Sequence, residues 1–230
     1  MSDYTAVVAA KKLNSKTSSE EKPLLLILDS HGLIFRSYYA MRDTLTARRN
    51  GEPVWAVFGY VNTLLYVLEA LSPTHVIAAW DAKGPTFRHE ADESYKATRS
   101  PIPEDLPSQI DRVRELLGAF RIPVIEAPGY EADDVVGTLV TQAAAQGVSA
   151  VVMTMDNDMV QLVEPGVQVY MYRSYQHDYV MYDDAKVQER WGFSPDQIRD
   201  YKALVGDSSD NIAGVKGIGE KGAKALIEQW

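Results

Sequence analysis

The stretch LLLILD, residues Leu24–Asp29, has five apolar residues in a row and ends in an aspartate. An apolar run of this length is typical of a strand that is buried on both faces, as in a parallel sheet. THVIAAWD (Thr74–Asp81) and SAVVMTMD (Ser149–Asp156) repeat the pattern. VQVYMY (Val167–Tyr172) predicts a fourth strand, and IPVIEA (Ile122–Ala127) predicts a short one earlier in the chain.

Helical periodicity fills the intervals between these runs. Apolar residues recur at helical spacing over about Val54–Leu71, about Leu106–Phe120 and about Glu131–Gln146. Strands that alternate with helices of this length predict an α/β fold, in which right-handed crossovers build a mostly parallel central sheet flanked by helices.

Three segments divide the chain. Residues 1–22 lack the apolar core of a secretory signal and are predicted to be a disordered leader, with an amphipathic organelle-targeting peptide as the alternative. Residues 23–193 form the predicted α/β core, which includes an unusually long polar loop at 83–103. Residues 194–230 are predicted to be helical, with a glycine-rich turn before the last helix.

Composition excludes some classes of site. The sequence has no cysteine, which excludes disulfides and thiolate metal sites. No apolar run approaches the roughly 18 residues of a membrane span, so no membrane partner is expected. The net charge is −9, from 32 acidic and 23 basic residues. If nine acids form one cation site, the remaining 23 balance the bases, and the surface is free to carry basic patches for nucleic acid.

Three of the predicted strands end in aspartate: Asp29, Asp81 and Asp156. In open parallel sheets, ligands bind outside the carboxyl ends of the strands, so these side chains can converge at one edge. A single aspartate at such a position usually caps a helix or a turn. Three of them indicate a shared site.

Further acids lie in the same regions of the sequence. Those at 131–134 open a predicted helix, where the helix dipole also favours acids. Asp158 lies two residues after Asp156 and points the same way if strand geometry continues. The two aspartates in GDSSDN are equally compatible with a role as metal ligands and with a simple capping loop. The further predicted ligands are Glu131, Asp133, Asp134, Asp158, Asp207 and Asp210.

The chemistry of these side chains indicates the ion. Clustered carboxylates repel one another strongly unless cations neutralise them. All-oxygen ligands suit Mg²⁺ or Mn²⁺, and the absence of Cys and of clustered His argues against zinc. Two such ions about 4 Å apart activate a water and stabilise the leaving oxygen in phosphodiester displacement. The predicted chemistry is therefore phosphodiester hydrolysis with two or more divalent ions.

The stretch GVKGIGEKGAKALI, residues 214–227, combines glycines with a basic helix. Backbone N–H groups at a glycine-rich helix N-terminus bind phosphate. The pattern resembles a helix-hairpin-helix motif, which binds the duplex backbone without reading sequence. An ordinary tight turn is the alternative. The predicted DNA-binding residues here are Gly214, Lys216, Gly217, Gly219, Lys221 and Lys224.

The loop at 83–103 is the second candidate DNA-binding segment. Tyr95 is predicted to stack on an unpaired base, as aromatic residues do in single-strand channels. Arg36, seven residues after Asp29, is predicted on the helix that leaves the acidic edge, where it would hold the scissile phosphate. The alternative for the loop is a solvated segment with scattered charges. Its candidate phosphate contacts are Lys83, Arg88, Lys96 and Arg99.

Three motifs, together with Asp29, carry a family resemblance. AAWDAKGPTFRHE (78–90), GYEADDVVGTL (129–139) and QIRDYKALVGDSSDNIAGVKGIGEK (197–221) resemble the 5′ nuclease domain of bacterial DNA polymerase I, within the flap-endonuclease-like superfamily. The resemblance covers about residues 24–230. It implies a PIN-like 5′ nuclease fold with a helical arch and a C-terminal helix-three-turn-helix motif, at which it also implies a K⁺ ion.

The resemblance assigns roles to individual residues. It places all nine acids named above at metal-site positions, and it implies that Arg36, Lys96 and Arg99 are catalytic and that Tyr95 positions the unpaired 5′ strand. This chain departs from the family pattern at Ser30, Asn157 and Ala213, where glycine, lysine and proline are usual. Family domains also continue beyond the position of Trp230, so the helical region is expected to be truncated.

The expected function is a structure-specific 5′ nuclease, a 5′→3′ exonuclease and flap endonuclease that removes RNA primers in replication or acts in repair. Its expected partners are branched or 5′-flapped DNA, RNA-primed DNA, and a polymerase domain or replication partner. The chain is expected to be a monomer and, if its source is bacterial, to lie in the cytoplasm in association with the nucleoid. The alternatives are a catalytically silent branched-DNA-binding scaffold and a PIN-type ribonuclease.

Overall fold

The computed structural model describes residues 23–173 and 178–230, so the predicted leader at 1–22 lies outside the described residues. A six-stranded sheet has the order β3-β2-β1-β4-β5-β6. Strands β1 to β5 run parallel to one another, which confirms the mostly parallel α/β prediction. The strands are β1 (Leu24–Asp29), β2 (His75–Ala79), β3 (Val124–Ile125), β4 (Ser149–Thr154), β5 (Val167–Arg173) and β6 (Asp178–Tyr182).

Helices cover both faces of this sheet. One face packs against α1, α2 and α4, and the other packs against α5 and the C-terminal helices. The central strand β1 shows why: Ile27 faces one core, while Leu26 and Leu28 face the other. The helices are α1 (Ser30–Ala40), α2 (Trp55–Leu71), α3 (Phe87–Ala91), α4 (Leu106–Ala119), α5 (Ala132–Ala145), α6 (Asp184–Trp191), α7 (Ile198–Val205) and α8 (Glu220–Gln229).

Two elements at the sheet edge were not predicted. Strand β6 pairs antiparallel with β5, and α6 follows it. The sequence of β6, DYVMY, is short, so its apolar pattern alone gives little signal. Across residues 23–173 and 178–230, we find no helix with the length and apolar character that a bilayer crossing requires.

The loop at 83–103 has less helix than an arch implies. It holds the five-residue helix α3, followed by turns at 93–98. Thr86 and His89 form a capping box at the start of α3, and Phe87 N donates to Gly129 O at 3.0 Å. The loop is therefore fixed to the turn that precedes α5.

The all-helical prediction for residues 194–230 is wrong in one place. A small antiparallel pair, β7 (Gly206–Asp207) and β8 (Ile212–Ala213), separates α7 from α8. The turn between them contains Asn211 in the left-handed region, at φ 59°. This hairpin places Asp207 and Asp210 at its tip, on the side of the sheet edge where the other acids lie.

Two glycines allow the hairpin to pack against the end of α7. Gly206 has φ 84°, and a Cβ at this position would lie 2.3 Å from Gly214 N. A Cβ on Gly214 would lie 2.3 Å from the backbone of Val205. Such contacts are impossible for any other residue, so the hairpin requires glycine at both positions.

The close contacts at Gly206 predict different free-energy costs of substitution for two glycines that both have a positive φ. Gly217 also has a positive φ, of 87°, but nothing lies within 4 Å of its Cβ position. Gly217→Ala should lower the free energy of unfolding by about 1–2 kcal/mol through backbone strain alone. Gly206→Ala should cost about 2–5 kcal/mol, because a backbone clash is added to the strain. Urea unfolding measures both; equal costs would contradict the close approach.

Candidate active site

The strand order brings three predicted ligands side by side. Strand β1 lies between β2 and β4, and all three are parallel. Asp29 is the last residue of β1, while Asp81 and Asp156 each lie two residues beyond the end of β2 and β4. The three carboxylates therefore occupy one carboxyl edge at adjacent strands.

Helix α5 adds two acids to the same edge. Glu131 is the N-cap of this helix, and Asp133 lies in its first turn. Lys96 and Arg99 of the 83–103 loop lie on the other side of the cavity that these acids line. The predicted ligands that line this cavity are Asp29, Asp81, Glu131, Asp133 and Asp156.

Asp29 is the most buried of these acids, at 5% exposure. The hydroxyl of Thr154 donates to its Oδ2 at 2.6 Å. Burial raises the pKa of Asp29 to about 6, against the opposing effect of the Thr154 hydrogen bond, and the negative charges of Asp81 and Asp156 raise it further. Asp29 is thus a buried carboxylate whose ionisation is opposed by burial and by the neighbouring acids.

Asp133 is under greater electrostatic stress. Burial and the neighbouring carboxylates of Asp29 and Asp156 raise its pKa to about 8, and Lys96 opposes this only in part. An acid that titrates near neutral pH, surrounded by other acids, marks a position where added positive charge is strongly favoured.

Asp81 and Glu131 have fixed orientations. The backbone N–H of Ala132, at the start of α5, donates to Asp81 Oδ1 at 2.7 Å. Lys96 Nζ donates to Glu131 Oε1 at 2.8 Å. Tyr95 OH donates to Glu131 Oε2 at 3.0 Å, so both Glu131 oxygens are bonded to the 83–103 loop.

Tyr95 does not have the exposed ring that the sequence predicted. It is 7% exposed, and its hydroxyl contacts both Glu131 and Asp210. Burial and these two carboxylates raise the pKa of Tyr95 well above its ordinary value. The ring is buried in this structure, so stacking on an unpaired base stays a prediction that requires the ring to become exposed.

Asp158 and Asp207 form a second acidic group around a basic residue. Lys202 Nζ lies 2.7 Å from Asp158 Oδ1 and 2.8 Å from Asp207 Oδ2. Burial opposes ionisation of Asp207, but hydrogen bonds from Lys202 and Ser209 lower its pKa to about 2. The condition on which Asp158 would point the same way as Asp156 is not met, because strand geometry ends before Asp158. Asp158 lies in a 3₁₀ helix, Asn157–Leu162, and Asp156 caps it.

Asp210 connects the C-terminal hairpin to the 83–103 loop. Arg99 Nη2 donates to Asp210 Oδ1 at 2.7 Å, and the backbone N–H of Lys96 donates to Asp210 O at 2.9 Å. Asn211 Nδ2 donates to Ser94 O at 2.8 Å. Lys96 and Arg99, both predicted to contact phosphate, are thus held by carboxylates of the site.

Asp134 lies apart from the cavity that holds Asp133. Both of its oxygens accept from Arg88, at 2.7 and 2.8 Å, and Oδ2 also accepts from Glu131 N at 3.0 Å. The Arg88 hydrogen bonds keep the pKa of Asp134 below its ordinary value. Asp134 and Arg88 line a neighbouring groove, and Asp133, Asp158 and Asp210 line it as well.

The other predicted site residues do not line the cavity of Asp29. Arg36 stacks over the ring of Tyr172, with its guanidinium carbon 3.8 Å from the centroid, and does not line the cavity of Asp29. Lys83 is exposed at the edge of a neighbouring cleft. Gly219 caps α8. The remaining C-terminal candidates are Gly214, Lys216, Gly217, Lys221 and Lys224, of which Lys216 and Lys221 have exposed side chains.

Three residues of the site were missed by the sequence analysis. Thr154 holds Asp29, Lys202 bridges the second acidic group, and His31 lies 3.4 Å from Asp81 Oδ2. Thr154 precedes Asp156 by two residues, and His31 follows Asp29 by two, so position beside a strand-terminal acid was a usable signal. Lys202 had no such signal, because its partners lie on separate elements.

Five of the nine predicted acids line one cavity, and their side chains do not converge on a common centre. Within residues 23–173 and 178–230, no three Asp, Glu or His side chains lie close enough together to hold a metal ion as they are oriented. The donor set nevertheless fits a hard divalent cation, because it consists of oxygens and the raised pKa values of Asp29 and Asp133 reflect uncompensated negative charge. Ion binding therefore requires rotation of carboxylate side chains toward a common centre.

Two family models together match residues 24–230. The 5′-3′ exonuclease N-terminal resolvase-like domain matches residues 24–192, and the 5′-3′ exonuclease C-terminal SAM fold matches residues 193–230. The chain belongs to the 5′-3′ exonuclease family. This confirms the resemblance stated from the three motifs and makes the chain a member of a nuclease family.

Curated relatives of this 5′-3′ exonuclease chain are DNA polymerases. It is 43% identical over 211 residues to DNA polymerase I of Chloroflexus aurantiacus, covering 90% of this chain and 22% of that one. It is 42% identical over 211 residues to the thermostable DNA polymerase I of Thermus aquaticus, covering 92% and 24%. The chain thus spans about a quarter of the length of these relatives.

Solved structures confirm the 5′ nuclease fold. The T5 5′-exonuclease with bound zinc ions superposes with a TM-score of 0.71 at 24% identity, covering 90% of this chain and 75% of that one. The bacteriophage T5 flap endonuclease in a complex with DNA and metal ions gives a TM-score of 0.69 at 24% identity, with the same coverage. At this identity the likeness establishes the fold alone.

The burial of Asp133 beside other carboxylates predicts that replacing it with a neutral residue stabilises the protein when metal is absent. Asp133→Asn removes a buried charge that repels Asp29 and Asp156. In EDTA at pH 8, Tm should rise by about 2–4 °C for each 1 kcal/mol by which the free energy of unfolding increases. Tm should rise because folding lifts the pKa of Asp133 from its ordinary value of 3.8 to about 8, so the ionised acid disfavours the folded state at pH 8.

The control for this prediction is Asp111→Asn, which changes an exposed acid on α4. Its Tm in EDTA should stay within about 1 °C of the parent, as for most surface substitutions. A lower Tm for Asp133→Asn would contradict the electrostatic account.

Proposed function

We propose that this chain is a metal-dependent 5′→3′ exonuclease and flap endonuclease that hydrolyses DNA phosphodiesters at 5′ ends and at 5′ flaps. The observation that carries the proposal is the single cavity at the carboxyl edge of the sheet, lined by Asp29, Asp81, Glu131, Asp133 and Asp156. Membership of the 5′-3′ exonuclease family supports the same reaction.

The proposed cofactors are two or more Mg²⁺ or Mn²⁺ ions. The acids fall into two groups, one around Asp29 and Asp133 and one around Asp158 and Asp207, which suits two ions. The metal ions in the T5 structures belong to those proteins, and they support a divalent requirement here by similarity of fold. Hard oxygen ligands favour Mg²⁺ or Mn²⁺ for this chain.

The residues of the chain divide the work of the reaction. Bound divalent ions supply activation of the attacking water and stabilisation of the leaving oxygen. Lys96 donates a hydrogen bond to Glu131, and Arg99 donates one to Asp210. Once bound cations neutralise these acids, the two basic side chains can release them and contact the scissile phosphate instead. Asp29, fixed by Thr154, and Asp81, fixed by Ala132 N, keep their carboxylates at the edge.

The C-terminal region supports binding of the duplex part of the substrate. Gly219 opens α8, and the side chains of Lys216 and Lys221 are exposed beside this helix N-terminus. Exposed backbone N–H groups and lysines suit phosphates of any sequence. We assign a K⁺ ion to the turn between β8 and α8 as part of the same proposal, by analogy with the helix-three-turn-helix motif.

The cellular role follows from the relatives. A nuclease chain that matches a quarter of DNA polymerase I suits a partnership with a polymerase domain, and removal of RNA primers or damaged 5′ strands in replication and repair. For a bacterial source, we place the protein in the cytoplasm with the nucleoid. It is proposed to act as a monomer on branched DNA or RNA-primed DNA.

Substitution of Asp29 or Asp156 tests the mechanism. Asp29→Ala and Asp156→Ala should lower single-turnover cleavage of a labelled 5′-flap DNA in Mg²⁺ by about 10²-fold or more, because each removes a carboxylate from the cation site. Binding of the flap, measured in Ca²⁺ by fluorescence anisotropy, should change by less than about threefold. Asp111→Asn is the control and should cleave like the parent protein. An unchanged cleavage rate in both alanine variants would contradict the proposed mechanism.

The same substrates separate the two alternatives. A catalytically silent scaffold would bind the flap without cleaving it in Mg²⁺ or Mn²⁺. A PIN-type ribonuclease would prefer single-stranded RNA to the 5′-flap DNA. Mapping the cut to the junction of the flap would support the proposed activity against both.

A further inference from the structure

We propose that Asp134 is a positioning residue that acts through Arg88, and that it is not a ligand of the metal ions. The proposal rests on the proposed nuclease function and changes the role that family resemblance assigns to one of the nine acids. It also gives Arg88 a role other than contact with DNA.

The first observation is that the hydrogen-bonding capacity of Asp134 is largely used within the protein. Arg88 Nη1 and Nη2 donate to Oδ2 and Oδ1 at 2.7 and 2.8 Å, which is a bidentate pair. Oδ2 also accepts from the backbone N–H of Glu131 at 3.0 Å. Planar bidentate pairs of this kind are the strongest charge-assisted hydrogen bonds in proteins, so the carboxylate has a fixed direction.

The second observation is that Asp134 does not line the cavity of Asp29. Adjacent residues on a helix point about 100° apart, and Asp133 already faces the cavity of Asp29. Asp134 instead lines a neighbouring groove, where its carboxylate is directed to Arg88. A ligand role would require Asp134 to give up its two hydrogen bonds from the half-buried Arg88, which would keep only a 3.9 Å contact with Glu131.

The third observation is what the pair connects. Arg88 lies on α3, whose first residue is bound to Gly129 through Phe87 N. Asp134 closes the capping box with Glu131, whose carboxylate holds Lys96 and Tyr95. The pair therefore fixes α3 to α5 and sets the position of Glu131. Its effect on catalysis passes through Glu131 and the 83–103 loop.

The test is a double-mutant cycle with a readout that does not need activity. Asp134→Asn, Arg88→Gln and the double variant are compared by thermal unfolding in EDTA. Because the partners are in contact, each single variant should lower Tm, and the double variant should lose much less than the sum. Fully additive losses would overturn the pairing.

Metal binding separates positioning from ligation. The rise in Tm on addition of Mn²⁺ should be the same for Asp134→Asn as for the parent, and the Mg²⁺ concentration for half-maximal flap cleavage should shift by less than about threefold, although the maximal rate falls. Asp133→Asn is the matched variant in the same helical turn. Its rise in Tm on addition of Mn²⁺, called the Mn²⁺ increment below, should be much smaller than that of the parent. Loss of the increment in Asp134→Asn would overturn the proposal.

Two further variants keep the outcome decisive. The exchange Arg88→Asp with Asp134→Arg should recover at least part of the Tm and of the maximal rate that Asp134→Asn loses, whereas no exchange can restore a metal ligand. If Asp134→Asn does not fold, Arg88→Lys keeps the charge but loses the bidentate geometry, and it should lower Tm with an unchanged Mn²⁺ increment. If the parent itself shows no Mn²⁺ increment, the proposed metal site fails, while the cycle in EDTA still decides whether the two residues are paired.

Discussion

Repulsion among buried carboxylates is the constraint on which the rest of this structure depends. Strand order brings Asp29, Asp81 and Asp156 to neighbouring positions, and α5 adds Glu131 and Asp133. Folding must therefore hold together charges that favour separation. The fold does so by distributing the acids over several rigid elements, each of which is stabilised by its own core contacts. The cost remains visible in the raised pKa values of Asp29 and Asp133.

Basic side chains offset part of this repulsion, each in a different way. Lys202 lies between Asp158 and Asp207, Lys96 contacts Glu131, and Arg88 holds Asp134. Flexible lysines can exchange one anionic partner for another, because the ammonium has no fixed geometry. The bidentate arginine pair is suited to a permanent connection. The site thus combines replaceable contacts near the cavity with a fixed one behind it.

The sequence predicted the central elements well because their signals are local. LLLILD alone gave β1 with its observed bounds, and strand-terminal aspartates indicated a site before any strand order was known. The direction in which individual side chains point was harder to predict. Spacing along a helix or strand did not reveal that Asp134 turns to Arg88, that Asp158 leaves strand geometry, or that the Tyr95 ring is buried. Each of these depends on a partner that is distant in sequence, so no local pattern records it.

The backbone contact between Lys96 and Asp210 has a mechanical consequence. Lys96 N donates to Asp210 O, and Asn211 donates to Ser94 O, so the loop that borders the cavity is hydrogen-bonded to the hairpin that precedes α8. Both Lys96 and Asn211 have positive φ, which residues other than glycine seldom adopt. A displacement of the hairpin would therefore be transmitted to the cavity through these hydrogen bonds. On the proposed function, binding of duplex DNA near α8 and entry of a 5′ end at the cavity would be mechanically coupled.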